Sequence, residues 1–236
     1  MSLVSASGLV SGIKEYIYHG IQQLPIVLAA TSLLFTITTG SVAHANLAGG
    51  LIIIIPFYTW LLHLFIGFWI PTFIRSTGKS CDIIYSMDRS LNSFIDTKTN
   101  PKPIPSYWLT SISFFIGYAI SNAVDSLTTS SEFNADPTNI EKRKSQAVYC
   151  IIATLVISGI LLVSRFRMMS GCEGLTFWAK ITSMIAAAGA AVIGYGVYGI
   201  SRNCGSRASD LFGILSQILP ASASSPHPIV CAETSD

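Results

Sequence analysis

The chain has 236 residues, of which 50% are hydrophobic and 11% are charged, and its formal net charge is +2 at pH 7. Soluble domains carry about 25% charged residues, disordered chains combine low hydrophobicity with high net charge, and nucleic-acid-binding domains are usually strongly basic. The composition therefore argues against these three classes and indicates a membrane protein with several spans, in agreement with a mean hydropathy of +0.56.

The first predicted spans lie between Glu15 and Arg75, where the sequence contains no Asp, Glu, Lys or Arg. A charge at the bilayer centre costs at least ~2.5 kcal/mol, and one helix crosses the bilayer with about 20 residues. The stretch is therefore long enough for two spans, which we predict as a helical hairpin over residues 24–73. The glycine-containing segment 44–50 is the predicted turn between them.

Three further spans are predicted at about 107–125, 145–164 and 178–201, because each lies in a charge-free window that matches one bilayer crossing. These windows are continuous apolar runs rather than alternating ones, which favours helices over a transmembrane β-barrel. The predicted fold class is an all-α membrane protein, a bundle of about five transmembrane helices with short amphipathic terminal helices.

The segments outside the predicted spans are short. Residues 1–23 are predicted to form an amphipathic helix, since apolar residues recur there at intervals of three and four. The loop 74–106 is polar and contains prolines, and residues 202–236 are predicted to form an amphipathic helix and a flexible tail. None of these segments is long enough to fold as a separate domain, so we expect no extramembrane enzyme or receptor domain.

Four predicted spans carry small or polar residues at intervals of about four; on the first span they are Ser32, Thr36, Gly40 and His44, and on the fourth they are Cys150, Thr154 and Ser158. On the third span these residues are Ser113, Gly117, Ser121, Asn122 and Asp125, and on the fifth they are Ala186, Ala190 and Gly194. An intramembrane acid often marks an ion or proton path, whereas small residues at this spacing let helices approach closely. Because Asp125 lies at a predicted span end, we favour helix packing.

His63 is the only ionisable side chain near the centre of a predicted span. A proton relay would pair it with an intramembrane carboxylate, but no other predicted span has Asp or Glu at its centre. The favoured interpretation is a neutral histidine that is hydrogen-bonded to a hydroxyl group of the first span. Arg165, at the end of the fourth span, is expected to extend its charged group towards water.

The sequence contains no recognisable catalytic motif. We find no G-x-S-x-G, H-E-x-x-H, P-loop or G-x-G-x-x-G pattern in a suitable context, and the five cysteines include no C-x-x-C pair. The prediction is a protein that is not an enzyme and that has no catalytic residues, cofactor or metal site.

Residues outside the spans are candidates for contacts with other proteins. They are Arg75 and Lys79 in the loop 74–106, Lys142, Arg143 and Lys144 in the loop 125–146, and Leu211, Phe212 and Leu215 in the apolar stripe of the C-terminal segment. The expected partners are the lipid bilayer, other membrane or capsid proteins, and a second copy of the chain in a homo-oligomer. Nucleic acid is not an expected partner.

Several short motifs between residues 103 and 178 resemble a known family. They are Ile104-Pro105-Ser106-Tyr107-Trp108, Phe114-Phe115 with Gly117, Asn122-Ala123, Asp136-Pro137, Lys142-Arg143-Lys144, Arg165 and Gly171-Cys172-Glu173-Gly174. This part of the chain resembles multi-span, membrane-associated minor capsid proteins of large icosahedral double-stranded DNA viruses of the algal-virus type. The resemblance implies a place in the internal membrane of a virion and a structural role in tying that membrane to the capsid shell.

Three functions remain open on the sequence. The first is a structural membrane protein of a virion, the second is a small transporter or channel subunit, and the third is a cellular membrane scaffold protein. An oligomeric ring whose polar stripes line a channel would favour the second, whereas loops and a tail ordered against partners outside the membrane would favour the first.

Overall fold

The computed structural model describes residues 6–69, 105–128, 137–168, 177–203 and 211. All regular structure in these ranges is helical: α1 (Ala6–Thr39), α2 (Val42–Gly49), α3 (Ile55–Trp69), α4 (Tyr107–Thr128), α5 (Pro137–Met168) and α6 (Phe177–Asn203), with a π-helical segment (Gly50–Ile54) between α2 and α3. The predicted all-α fold class is confirmed.

Four stretches of the described helices are long and apolar enough to cross a membrane. They are Gly20–Thr39, Val42–Ile66, Lys144–Phe166 and Phe177–Ile200. The protein is therefore an integral membrane protein with several spans. The predicted third span corresponds to α4, which is not among these four; most of its residues are buried between the other helices.

The turn of the N-terminal hairpin lies earlier than predicted. α1 ends at Thr39, and Gly40 adopts a left-handed conformation with φ 67°, which glycine accepts because it has no Cβ. The predicted turn at 44–50 is helical instead: the backbone at Gly50 has φ −59° and continues into the π-helical segment. The absence of a side chain at Gly50 makes room for the ring of Phe114.

Two other predicted boundaries differ from the structure. The N-terminal amphipathic segment and the first span form the single helix α1, with no break at residue 23. The predicted loop 125–146 is partly helical, because α5 begins at Pro137. Proline is favoured in the first turn of a helix, where its missing N–H would have no partner in any case.

Large apolar side chains cover the outside of the bundle. On α5 the exposed ones include Val148, Ile152, Leu155, Ile160 and Val163. Water-soluble monomers rarely expose an apolar surface of this extent, so the surface is suited to lipid chains. α4 lies on the opposite, protein-facing side of α5, and it also packs against α1, α3 and α6.

α4 runs antiparallel to α3. The hydroxyl groups of Thr59 and Thr110 are 3.1 Å apart, and further towards the end of α3 the imidazole of His63 reaches the backbone of Pro105. Residue numbers thus rise along α3 as they fall along α4. Helices that alternate in direction are the pattern expected where short connections join successive crossings.

Candidate functional site

Four consecutive residues at the start of α4, Pro105–Trp108, each bond to a different helical element, and we call this segment the α4 junction. Two of these bonds engage carbonyl groups that lie four or five residues before a proline in the preceding helices. The other two involve the imidazole of His63 and the guanidinium of Arg165. The junction is the densest group of long-range polar contacts along the described part of α4, and we treat it as the candidate site.

Trp108 binds a carbonyl group that a proline leaves free. Pro25 lies inside α1 and has no N–H, so it cannot donate to the carbonyl of Ile21 four residues earlier. The indole Nε1–H of Trp108 donates to that carbonyl over 2.7 Å. Trp108 and Pro25 are both fully buried, and the bond, which is partly buried, supplies the partner that a shielded backbone carbonyl requires.

Tyr107 likewise donates to a carbonyl that a proline leaves free, in the continuous helix formed by α2, the π-helical segment and α3. In the π-helical segment the N–H of Ile55 donates to the carbonyl of Gly50, five residues back. Continuing that register would require Pro56 to donate to Leu51, which proline cannot do. The phenol O–H of Tyr107 donates to the Leu51 carbonyl over 2.8 Å.

Arg165 is buried rather than extended towards water, which corrects the prediction. Its relative exposure is 0%. The guanidinium Nη2 donates to the hydroxyl oxygen of Ser106 over 3.2 Å, and its central carbon lies 5.0 Å from the ring centroid of Trp108. An aromatic face attracts a cation electrostatically and replaces part of its hydration. Arg165 thereby joins α5 to the α4 junction.

His63 bonds to a backbone carbonyl, whereas a hydroxyl group of the first span was predicted. Its Nε2 lies 2.8 Å from the carbonyl oxygen of Pro105. A carbonyl oxygen only accepts, so Nε2 carries the proton in this bond. The bond fixes the end of α3 against the start of α4.

The small-residue stripes of α4 and α6 lie against each other. A Cβ added at Gly117 would overlap the carbonyl of Ala191, and one added at Gly194 would overlap the carbonyl of Phe114. The backbones therefore approach as closely as glycine allows. The hydroxyl of Ser121 donates to the Tyr195 carbonyl over 3.2 Å. Because Gly117 meets Ala191 and Ser121 meets Tyr195, four residues further along both helices, α4 and α6 are parallel.

The remaining stripe residues are also placed inside the bundle. Ser113, Asn122, Ala186 and Ala190 are buried. The carbonyl of Ala186 accepts a hydrogen bond of 2.9 Å from the hydroxyl of Tyr58, which links α6 to α3. The predicted stripes thus contribute to helix packing in the described structure.

Asp125 forms a polar cluster at the other end of α4. Its carboxylate accepts a hydrogen bond of 3.0 Å from the hydroxyl of Tyr198 and forms an ion pair with Arg202. Both partners lie on α6, so the cluster closes the end of the α4–α6 pair. Arg202 is 46% exposed, and a partly hydrated ion pair of this kind contributes little free energy.

Two functional candidates were missed or misplaced by the sequence analysis. The imidazole Nε2 of His44 lies 2.8 Å from the carbonyl oxygen of Leu211, whereas the sequence placed His44 only in a row of small and polar residues on the first span. Leu211 was predicted to contact a partner protein, but it is buried in the protein's own core with Leu47 and Tyr118. In the sequence His44 is recognisable only as a polar residue of that row, at the start of the predicted turn, because its hydrogen-bond partner lies 167 positions away.

The other predicted contact residues fall into two groups. Lys142, Arg143 and Lys144 lie in the first turns of α5 rather than in a loop, and Lys144 is exposed. Arg75, Lys79, Phe212 and Leu215 lie outside the described residues. Among the residues that the structure describes, no group of three or more His, Cys, Asp or Glu side chains is placed to hold a metal ion.

Comparisons with known proteins place the chain in no family. No family model, no curated protein and no solved structure matches it. The arrangement of the described residues is therefore the basis for a functional proposal. Chemically, the polar groups named above connect helices to one another, through hydrogen bonds to backbone carbonyls, an ion pair and a cation–aromatic contact.

Proposed function

We propose that the protein is a structural membrane protein, in which polar residues hold a helical bundle together and the connecting segments bind other proteins. The α4 junction carries this proposal. Four consecutive residues tie α4 to α1, to the π-helical segment, to α3 and to α5. Such a junction suits a rigid scaffold, since each bond opposes sliding of one helix past another.

A transport path would place different demands on these residues. Ion or proton paths use polar side chains that face a hydrated cavity and exchange partners. His63, Arg165 and Asp125 instead have bonds to neighbouring helices in the described structure. Gly117 and Gly194 bring α4 and α6 to backbone contact, which leaves no room for a pore between these two helices.

The internal membrane of a virion is the location that we propose, with a role in linking the bilayer to the capsid shell. The support is the resemblance of residues 103–178 to minor capsid proteins of large DNA viruses, which includes the residues of the α4 junction. The proposed partners are other membrane or capsid proteins, bound through the segments between the helices. A homo-oligomer in the membrane is compatible with the apolar outer surface.

Two experiments test this proposal. The first asks whether the chain copurifies with intact virions or with a cellular membrane; recovery with virions is expected, and recovery solely with a cellular membrane would favour a cellular scaffold. The second measures ion flux in liposomes that contain the purified protein. No flux is expected, and a flux that is lost in His63→Ala or Asp125→Asn would overturn the structural proposal in favour of a channel.

A further inference from the structure

α2 lies between two points at which the chain departs from the α-helix. On one side Gly40 has φ 67° and Ser41 has an extended backbone. On the other side lies the π-helical segment Gly50–Ile54. Such π-helical turns are rare, occur mostly as short insertions within α-helices, and are frequent at functional sites. This short helix is therefore connected to both of its neighbours by segments that are not α-helical.

The π-helical segment contains one residue more than an α-helix would need. The N–H of Gly50 donates to the carbonyl of Asn46, four residues back, whereas the N–H of Ile55 donates to Gly50, five residues back. The hydrogen-bond register thus lengthens by one residue within the segment. The side chains of Ile52 and Ile53 are 46% and 69% exposed, so this part of the segment faces lipid.

The helices on both sides of the π-helical segment are anchored to other helices. On the α3 side, the hydroxyl of Tyr58 donates to the carbonyl of Ala186 in α6 over 2.9 Å. On the α2 side, the hydroxyl of Tyr118 in α4 donates to the carbonyl of Ala43 over 2.7 Å. Because both anchors are fixed within the bundle, the segment between them accommodates its surplus residue as a π-helical turn.

We propose that the π-helical segment is a register switch, through which α2 rotates about its own axis while α3 stays in place. When the surplus residue enters the α-helical register, α2 rotates by about 100° and moves about 1.5 Å along the axis, the step of one residue. Leu51 then takes the place of Gly50 against the ring of Phe114, where even a Cβ at position 50 overlaps that ring. Gly50 and the bond from Tyr118 therefore favour the π-helical state.

Distances between two spin labels test whether α2 rotates. In a chain whose native cysteines are replaced, the labels are attached at Val42→Cys on α2 and Trp60→Cys on α3, because these positions are 51% and 56% exposed. Pulsed electron paramagnetic resonance in phosphatidylcholine nanodiscs should give one distance. Tyr118→Phe removes the bond to Ala43 and should shift the equilibrium about fivefold towards the rotated state. A second distance is then expected, since a rotation of about 100° carries an exposed site around the helix.

Deletion of the surplus residue provides the matched control. Without Ile53, an α-helix connects α2 to α3 while both keep their contacts, so the melting temperature in micelles should stay equal or rise. Deletion of Ile157, which is 57% exposed within the apolar stretch of α5, turns Arg165 away from Trp108 and should lower the melting temperature by about 10 °C or more. Tyr118→Phe combined with deletion of Ile53 should give a single distance, because no surplus residue remains.

Two results would overturn the register switch: an unchanged single distance in Tyr118→Phe, or a loss of stability on deletion of Ile53 as large as on deletion of Ile157. The second result decides the question even if Tyr118→Phe does not fold. Neither measurement involves virions, capsid proteins or ion flux. Failure of the register switch and failure of the proposed structural role are therefore distinguishable.

Discussion

The indole of Trp108 donates a hydrogen bond of 2.7 Å to the carbonyl of Ile21, the acceptor that Pro25 leaves without a donor. The neighbouring Tyr107 donates in the same way to the carbonyl of Leu51, which Pro56, five residues later, leaves without a donor in the π-helical register. Proline weakens a membrane helix unless another group satisfies the freed carbonyl. One turn of α4 thus satisfies both freed carbonyls and sets the position of α4 relative to both helices.

The first prediction concerns Trp108 and Pro25. Trp108→Phe removes the indole N–H and should lower the free energy of unfolding by about 1 kcal/mol, because the partly buried carbonyl of Ile21 loses its partner. In a Pro25→Ala background the new backbone N–H can donate to the Ile21 carbonyl, so Trp108→Phe should lower the free energy of unfolding by less. Unfolding by sodium dodecyl sulfate in mixed micelles, followed by circular dichroism, measures both costs.

Trp108→Phe and Pro25→Ala form a double-mutant cycle, and its matched control is Trp60→Phe. Trp60 is 56% exposed on the apolar outer surface, so the same loss of atoms should leave stability nearly unchanged. An equal cost of Trp108→Phe with and without Pro25 would show that the two residues are not coupled.

The second prediction concerns the contact between α4 and α6. Gly194→Ala places a methyl group against the Phe114 carbonyl and should destabilise the protein by about 1–3 kcal/mol, the usual cost of forcing extra volume into a packed interface. Gly196→Ala on the same helix meets no atom within 4 Å. It should be neutral or stabilise the helix by up to about 1 kcal/mol. Thermal unfolding in micelles distinguishes the two, and similar melting temperatures for both variants would contradict the close approach.

The third prediction concerns the buried guanidinium. Arg165→Lys keeps the charge but loses the planar group that lies near Trp108 and donates to Ser106, and it should cost about 1–2 kcal/mol. Arg202→Lys is the control, since Arg202 is partly exposed in its ion pair with Asp125 and should cost less than about 1 kcal/mol. The same unfolding assay applies. A larger loss in Arg202→Lys than in Arg165→Lys would contradict the assigned role.

Much of the fold is predictable from where charges are absent. The windows around 145–164 and 178–201 coincide with stretches of α5 and α6 that are long and apolar enough to cross a membrane, because excluding charge from lipid is a local property of the sequence. The interval of four between Gly117 and its neighbours on α4 similarly predicts close helix packing. Both signals are contained within one helix, so no knowledge of a partner helix is needed.

The polar partners are not predictable in this way. Arg165 at a span end looks like a residue that reaches water, and its burial depends on Ser106, which is 59 positions away. The same holds for His63, whose partner is a backbone carbonyl with no sequence signature. A usable signal did exist at Pro25 and Pro56, since each proline implies a free carbonyl that needs a donor. The sequence leaves open which side chain supplies that donor.

The fourth prediction concerns α4 as a fifth crossing. In a variant whose native cysteines are replaced, Lys98→Cys before α4 and Lys142→Cys after it should react with an impermeant maleimide from opposite sides of the membrane. The reason is that α4 has 22 residues, and a helix of that length is about 33 Å long. Reaction of both positions from the same side would show that α4 enters and leaves the membrane on one face.

The burial of α4 has a consequence for how the chain reaches the bilayer during synthesis. α4 contains Ser, Thr and Asn at positions that neighbouring helices cover in the finished protein, and such residues oppose partitioning of a lone helix into lipid. Its closest neighbour, α6, is translated later. Integration of α4 is therefore expected to be delayed until α6 emerges from the ribosome, so that the two helices leave the translocon as a pair.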